Sequence, residues 1–241
     1  MCVWNQAYIE NYRGDKIRLM KRFAKNCYTL IDPFDISSPN SEISSLHLRN
    51  NQVGCYISVG TGENWRPDFE ELKPYLVTKQ WGSWKGEYYV SDAIGALPVM
   101  KSRVDVLSEW GCDYVEFDNM DWFTEETKTK YGIQATQQEA DEYIVDLCTY
   151  VQLKGMKCMA KNKNLGLEFD SITFESYSSE KNWWVNSDLS HFVDTGKLVV
   201  IVHYNERRCG AVLNWYRKKY STKEISFICE NRRKRKYLHY K

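Results

Sequence analysis

The sequence has no apolar stretch near the roughly 20 residues of a membrane-spanning helix, so no membrane-embedded class is expected. Histidine is scarce, with four in 241 residues, and no CxxC pair or Cys/His cluster of zinc spacing occurs, which argues against a zinc site. Proline is rare too, and no Pro/Gly/Ser-rich tract, internal repeat or linker divides the chain. The opening MCVWNQAYIENYRGDK has neither a basic n-region nor an apolar h-region, so no secretory leader is expected and a cytoplasmic setting is favoured. Acids are missing from residues 232–241, which carry six Lys and Arg; subtracting these from the net +1 leaves the rest of the chain at −5. An acidic body with a basic end is not the profile of a nucleic-acid-binding domain, and the end is expected as a solvated tail. The eight cysteines are dispersed. Cys55 in VGCYISV and Cys229 in ISFICE lie in apolar runs, so the thiols are expected to be reduced, buried and intracellular.

What the chain does have is a soluble-protein composition, 43% hydrophobic and 27% charged, with short apolar runs at regular intervals. Eight such runs, residues 28–32, 53–58, 88–92, 114–118, 157–162, 171–175, 198–203 and 224–230, read as strands. Helical periodicity appears between them, most clearly at 97–110, 137–154 and 211–220, with Gly111 and Gly155 placed as left-handed helix ends. Strand followed by helix, repeated, predicts an α/β fold: a single (β/α)8 TIM barrel over residues 1–231 with an irregular or incomplete last helix. Residues 4–20 would cover its open side, and residues 232–241 form the basic tail.

The segment GCDYVEFDNMDWF, residues 111–123, carries the strongest chemical signal. Alternation along a strand puts Tyr114, Glu116 and Asp118 on one face and Val115 and Phe117 on the other. An acidic face opposite an apolar one suits a barrel strand whose outer side packs on helices and whose inner side opens onto an active-site mouth. The strand at 171–175 repeats this register, with Ile172 and Phe174 outward and Ser171, Thr173 and Glu175 inward. Asp118 and Glu175 are therefore the candidate catalytic acids, one as proton donor and one as base or nucleophile, with their order open. Other strand ends add Asp32 with Asp35, Glu63 and Arg66 in SVGTGENWR, Asp92, Asn119 with Asp121, Lys161 with Asn162, and His203 with Tyr204 as candidate substrate-binding residues. Six tryptophans, Trp65, Trp81, Trp84, Trp122, Trp183 and Trp184, fall in expected loops where their faces could stack on sugars, Trp122 foremost. Rival readings are a non-catalytic carbohydrate-binding barrel and a divalent-metal hydrolase built on Asp118, Asp121 and Glu175.

The runs IDPFD, GCYISVGTGENWRPDF, WKGEYYVSD, GCDYVEFDNMDW, AKN and FESY together resemble, in order and spacing over residues 32–204, glycoside hydrolase family 114, the endo-α-1,4-polygalactosaminidase type. The resemblance implies a (β/α)8 barrel that hydrolyses α-1,4-linked galactosamine or a related polymer; the enzyme is expected to be a monomer that works without metal or organic cofactor. The resemblance places the catalytic pair at Asp118 and Glu175, and gives Asp35, Glu63, Arg66, Asp121, Lys161 and Asn162 to the groove. The chain departs from the family in having His203-Tyr204 where Glu-Tyr is usual, Ser176 and Ser178 near the second acid where cysteines are usual, and no secretion signal at its start.

Overall fold

A computed structural model describes residues 1–8, 14–165, 169–177, 187–220 and 225–240. Its strands are β1 (Cys2–Asn5), β2 (Cys27–Ile31), β3 (Gln52–Ser58), β4 (Thr61–Glu63), β5 (Glu87–Tyr89), β6 (Tyr114–Asp118), β7 (Lys157–Lys161), β8 (Ser171–Tyr177), β9 (Leu198–Glu206), β10 (Ile225–Asn231) and β11 (Lys236–His239). The helices are α1 (Ile17–Phe23), α2 (Pro39–His47), α3 (Phe69–Leu72), α4 (Ala93–Trp110), α5 (Glu125–Tyr131), α6 (Gln137–Leu153), α7 (Ser187–Asp194) and α8 (Cys209–Tyr220). The main sheet runs β1-β2-β3-β6-β7-β8-β9-β10-β11, parallel throughout except for the last, antiparallel pair. It curls until β1 lies against β10 and β11, giving a nearly closed α/β barrel.

The inward and outward sides follow the alternation expected from the sequence. Val115, Phe117, Ile172, Phe174, Val199 and Ile201 point out into one core with the helices. Tyr28, Leu30, Tyr114, Met159, Val200, Val202 and Tyr204 fill the interior. Gly54 is required there, because a Cβ at that position would stand 2.0 Å from the Tyr28 hydroxyl oxygen. Helix ends match as well: Gly111 closes α4 at φ 87°, and Gly155 follows α6 at φ 79°.

Three expectations are corrected. The run at 88–92 does not enter the barrel; Glu87–Tyr89 pairs antiparallel with β4 as a two-stranded ribbon beyond the end of β3. The barrel strand it was expected to supply is β1, from a four-residue run too short to stand out by periodicity. Between β7 and β8 the described residues hold no helix.

The cysteines are not free thiols. They form Cys2–Cys27, Cys55–Cys112, Cys148–Cys158 and Cys209–Cys229, with Cα atoms 4.7, 6.0, 5.5 and 5.8 Å apart. Each bond joins neighbouring elements of the barrel, so the pairing is set by topology and not by sequence spacing. The intracellular expectation built on reduced thiols loses its basis, since disulfides accompany oxidising surroundings.

The basic end is also structured. β11 pairs with β10, Tyr237 is buried, and His239 stacks on Trp4 at 3.7 Å while its Nε2 meets Asp15 at 3.0 Å. Apolar rings thus anchor a segment whose charges suggested a solvated tail. Deleting residues 232–241 is expected to lower the melting temperature by more than about 4 °C. A scanning-calorimetry trace superimposable on that of the full chain would show β11 to be dispensable.

Candidate active site

The C-terminal strand ends converge as a barrel requires. Lys161, at the end of β7 and 4% exposed, lies at the centre: its Nζ is 3.0 Å from Asp118 Oδ1 and 3.3 Å from Glu175 Oε2. The two acids keep side-chain exposures of 18% and 24%, so they remain open to a substrate while the ammonium between them is covered. Asp118 Oδ1 also accepts the Asn119 N–H at 2.8 Å, and Oδ2 accepts the Tyr56 hydroxyl at 2.9 Å. Glu175 Oε1 accepts the Tyr204 hydroxyl at 2.7 Å, and Oε2 accepts Asn162 Nδ2 at 3.1 Å. Asn162 returns the bond by accepting the Glu175 N–H at 2.9 Å. Asn119 and Asn162 both turn the chain in the left-handed region, at φ 55° and 63°, which asparagine tolerates better than most residues. Those turns place polar side chains beside the acids at the ends of β6 and β7.

Below this layer Glu116 is fully buried and accepts hydrogen bonds from Tyr8 and, at 2.5 Å, from Thr173. Burial pushes its carboxyl up to about 7, against the pull of Lys161 and of these two donors. The Lys161 ammonium shows the opposite balance. Burial alone would lower its pKa, but Asp118, Glu175 and Glu116 outweigh that and hold it above the ordinary lysine value. The Tyr8 ring covers the ammonium at 4.1 Å.

A second ionic group forms the wall. Arg66 forks onto Asp32 at 2.9 and 2.7 Å and onto Glu63 at 2.7 and 2.9 Å, with Asp35, 53% exposed, at 3.6 Å. Burial raises the Asp32 carboxyl to about 6 despite the Arg66 bonds. Glu87 faces Glu63 across the ribbon, and burial, then Glu63 and Asp118, raise it to about 7.

Sequence-expected residues therefore divide. Asp118, Glu175, Asn119, Lys161, Asn162 and Tyr204 meet in one cluster, while Asp32, Asp35, Glu63 and Arg66 make a second. Asp121 is exposed in the loop after β6. Asp92 instead caps α4, accepting the Gly95 N–H at 2.9 Å. His203 is fully buried with its ring 6.4 Å from Phe227, on the outward side of β9 opposite to Tyr204. It faces the helices, as strand parity requires, and not the mouth. Trp122 is 3% exposed, donates its indole N–H to the Val90 carbonyl at 3.0 Å and packs on Tyr143, so it is a core residue and no sugar platform. Trp183, Trp184 and Ser178 lie outside the described residues. Tyr8, Tyr56, Glu87 and the central place of Glu116 were missed. Tyr56 was within reach, since alternation along residues 53–58 sets it opposite Cys55 and Ile57, whose apolar side chains pack toward the helices.

The metal-hydrolase reading needs Asp118 and Asp121 to share a cation with Glu175. Lys161 takes the place between Asp118 and Glu175, and no group of three or more metal-ligating side chains is found among the described residues.

By fold, the chain is similar to Aspergillus fumigatus Ega3, solved as a complex with galactosamine, at a TM-score of 0.71 and 19% identity over 99% of this chain and 93% of that one. The glycoside hydrolase domain of PelA from Pseudomonas aeruginosa matches at 0.68 and 14% identity over 99% and 96%. A Vibrio harveyi GH20 exo-β-N-acetylglucosaminidase is more distant, at 0.51 and 10% identity over 84% and 41%. No curated protein matches by sequence. The family model for glycoside-hydrolase family GH114 aligns with residues 27–240, nearly the whole chain, and the chain belongs to that family of glycosidases.

Proposed function

We propose that the protein hydrolyses α-1,4-linked galactosamine-type polysaccharide with Asp118 as nucleophile and Glu175 as acid and base. The observation that carries this reading is the single ammonium shared by the two acids. The contacts of 3.0 and 3.3 Å to one nitrogen set an upper limit of about 6.3 Å on the separation of Asp118 Oδ1 and Glu175 Oε2, which falls below the roughly 6.5–9.5 Å of inverting glycosidases and leaves room for the roughly 5–5.5 Å of retaining ones. Three donors, Lys161, the Asn119 N–H and Tyr56, fix the orientation of the Asp118 carboxylate at the end of β6.

In the first step Asp118 attacks the anomeric carbon while Glu175 gives its proton to the departing glycosidic oxygen. A glycosyl ester forms and the C–O bond to the leaving sugar breaks. In the second step Glu175 takes a proton from water, whose oxygen attacks the same carbon and frees Asp118. Lys161 serves both steps. Once Asp118 is esterified and neutral, the ammonium is left to Glu175, now a carboxylate. An amino-sugar substrate is supported by the family, by the galactosamine in the similar Ega3 structure, and by an acidic mouth where Asp35 and Asp121 remain exposed.

The test is turnover of de-N-acetylated and N-acetylated α-1,4-galactosamine oligomers followed by proton NMR. Release of new reducing ends as the α anomer is expected, with the de-N-acetylated substrate preferred. Initial β anomer would overturn the double-displacement assignment, and no cleavage of either series would overturn the substrate.

A further inference from the structure

The β4–β5 ribbon is built more firmly than a loop on the barrel rim needs to be, and it carries the two most exposed tryptophans among the described residues, Trp65 at 49% and Trp84 at 48%. Its root is tied to the candidate active site. Thr61 Oγ1 is 2.6 Å from Ser58 Oγ, which accepts Asn119 Nδ2 at 3.0 Å beside Asp118. Its far end holds both tryptophans: the Asn64 N–H bonds the Gly86 carbonyl at 2.9 Å, putting Trp65 beside one strand end and Trp84 beside the other. Trp65 is further fixed by the next residue, Arg66, locked onto Asp32 and Glu63. Trp84 stacks on Trp81 at 5.8 Å and 26°, and Trp81 rests on Tyr89 at 5.0 Å. Two large apolar rings are thus held in water by a hydrogen-bonded frame that runs without a break from Asp118. Trp65 stands in the turn that ends β4, where the Arg66 N–H bonds the Glu63 carbonyl at 3.0 Å.

We propose that Trp65 and Trp84 form an outer subsite that stacks on sugar rings of the polysaccharide beyond those held at Asp118 and Glu175. This inference rests on the polysaccharide reading above and adds a place on the protein where long chains are held. Pyranose rings have apolar faces and hydroxylated edges, which suits flat indoles with one side in water. The subsite selects for chain length, because a short oligomer that fills the catalytic centre does not extend along the ribbon to Trp65 and Trp84.

The test compares the wild-type chain with Trp65→Ala/Trp84→Ala on a long α-1,4-galactosamine polymer and on the shortest oligomer cleaved. The kcat/KM for polymer is expected to fall roughly tenfold, as for the loss of one to two aromatic contacts, with the oligomer value unchanged. Equal losses on both substrates, or no loss on either, would overturn the subsite. Affinity electrophoresis through immobilised polymer gives a readout independent of turnover, and the double variant is expected to run unretarded where the wild-type chain is delayed. If the wild-type chain binds but cleaves nothing, the hydrolytic reading fails and the subsite stands or falls on retardation alone. Equal mobility of the two proteins would overturn it. Trp65→Phe/Trp84→Phe, which keeps flat rings, is expected to recover most of the retention and serves if the alanine variant does not fold. Sedimentation that shifts from dimer to monomer on substitution would assign the surface to self-association and overturn the proposal.

Discussion

Asp118→Asn and Glu175→Gln are each expected to lower kcat by about 10²–10⁴-fold on galactosamine oligomers while leaving the barrel folded. Each substitution keeps the shape of the side chain and removes the ionisable group. Folding survives because Lys161 retains other acidic neighbours: Glu175 and Glu116 when Asp118 is changed, Asp118 and Glu116 when Glu175 is changed. The two variants are expected to differ on a substrate with an activated leaving group that departs without a proton. There Glu175→Gln recovers much of its first-step rate, seen as a burst of released aglycone followed by slow turnover, because the second step still needs a base. Asp118→Asn recovers nothing, since no ester can form. The double variant is expected to be hardly worse than either single one, as the pair acts as a unit. Identical behaviour of the two variants on the activated substrate would refute the division of roles, and near wild-type turnover in either would remove that residue from the pair.

The parts of this site that follow strand parity were legible in the sequence. VEFD and SITFE share a register in which the apolar residues point out and the acids point in, and Asp118 and Glu175 stand as that register requires. The same rule places Tyr204 inward and His203 outward, so His203 was assigned to the mouth by its nearness in sequence against its own parity. Two kinds of information stayed out of reach. Closure of the barrel depends on long-range pairing. Four residues, CVWN, gain their identity as β1 only from β2 beside them, and a basic stretch becomes β11 only because β10 offers an edge and Trp4 offers a face to His239. The disulfides follow from the same topology. The second kind is sharing of one charge by several partners. Lys161 read as a groove residue, whereas its position between Asp118 and Glu175, above Glu116 and under Tyr8, emerges only when β1, β6, β7 and β8 are brought together.

Lys161→Met tests that arrangement and is expected to lower kcat at neutral pH by about 10²-fold or more, mainly by altering protonation and not substrate affinity. The substitution keeps an unbranched side chain of similar length but leaves Asp118, Glu175 and Glu116 without the cation they share. Loss of a neighbouring positive charge favours the protonated form of a carboxylate, so Glu116, which Lys161 holds down against its burial, should take up a proton at higher pH than in the wild-type chain. With the cation shared by the acidic cluster gone, the acid limb of the kcat/KM profile is expected to move upward in pH, and activity recovers in part as the medium is made more alkaline. Lys161→Arg, which restores a charge with a different shape, is expected to return the acid limb toward its original position even if the rate stays low, since the guanidinium fork cannot reproduce a point contact to two acids. A profile for Lys161→Met that falls in height but keeps both limbs in place would show that the lysine only fills space, and the electrostatic account of the pair would then fail. Melting curves at each pH separate this from unfolding, because removing one member of a buried ionic cluster costs about 3–5 kcal/mol at most and that loss need not exceed the stability of a barrel of this size.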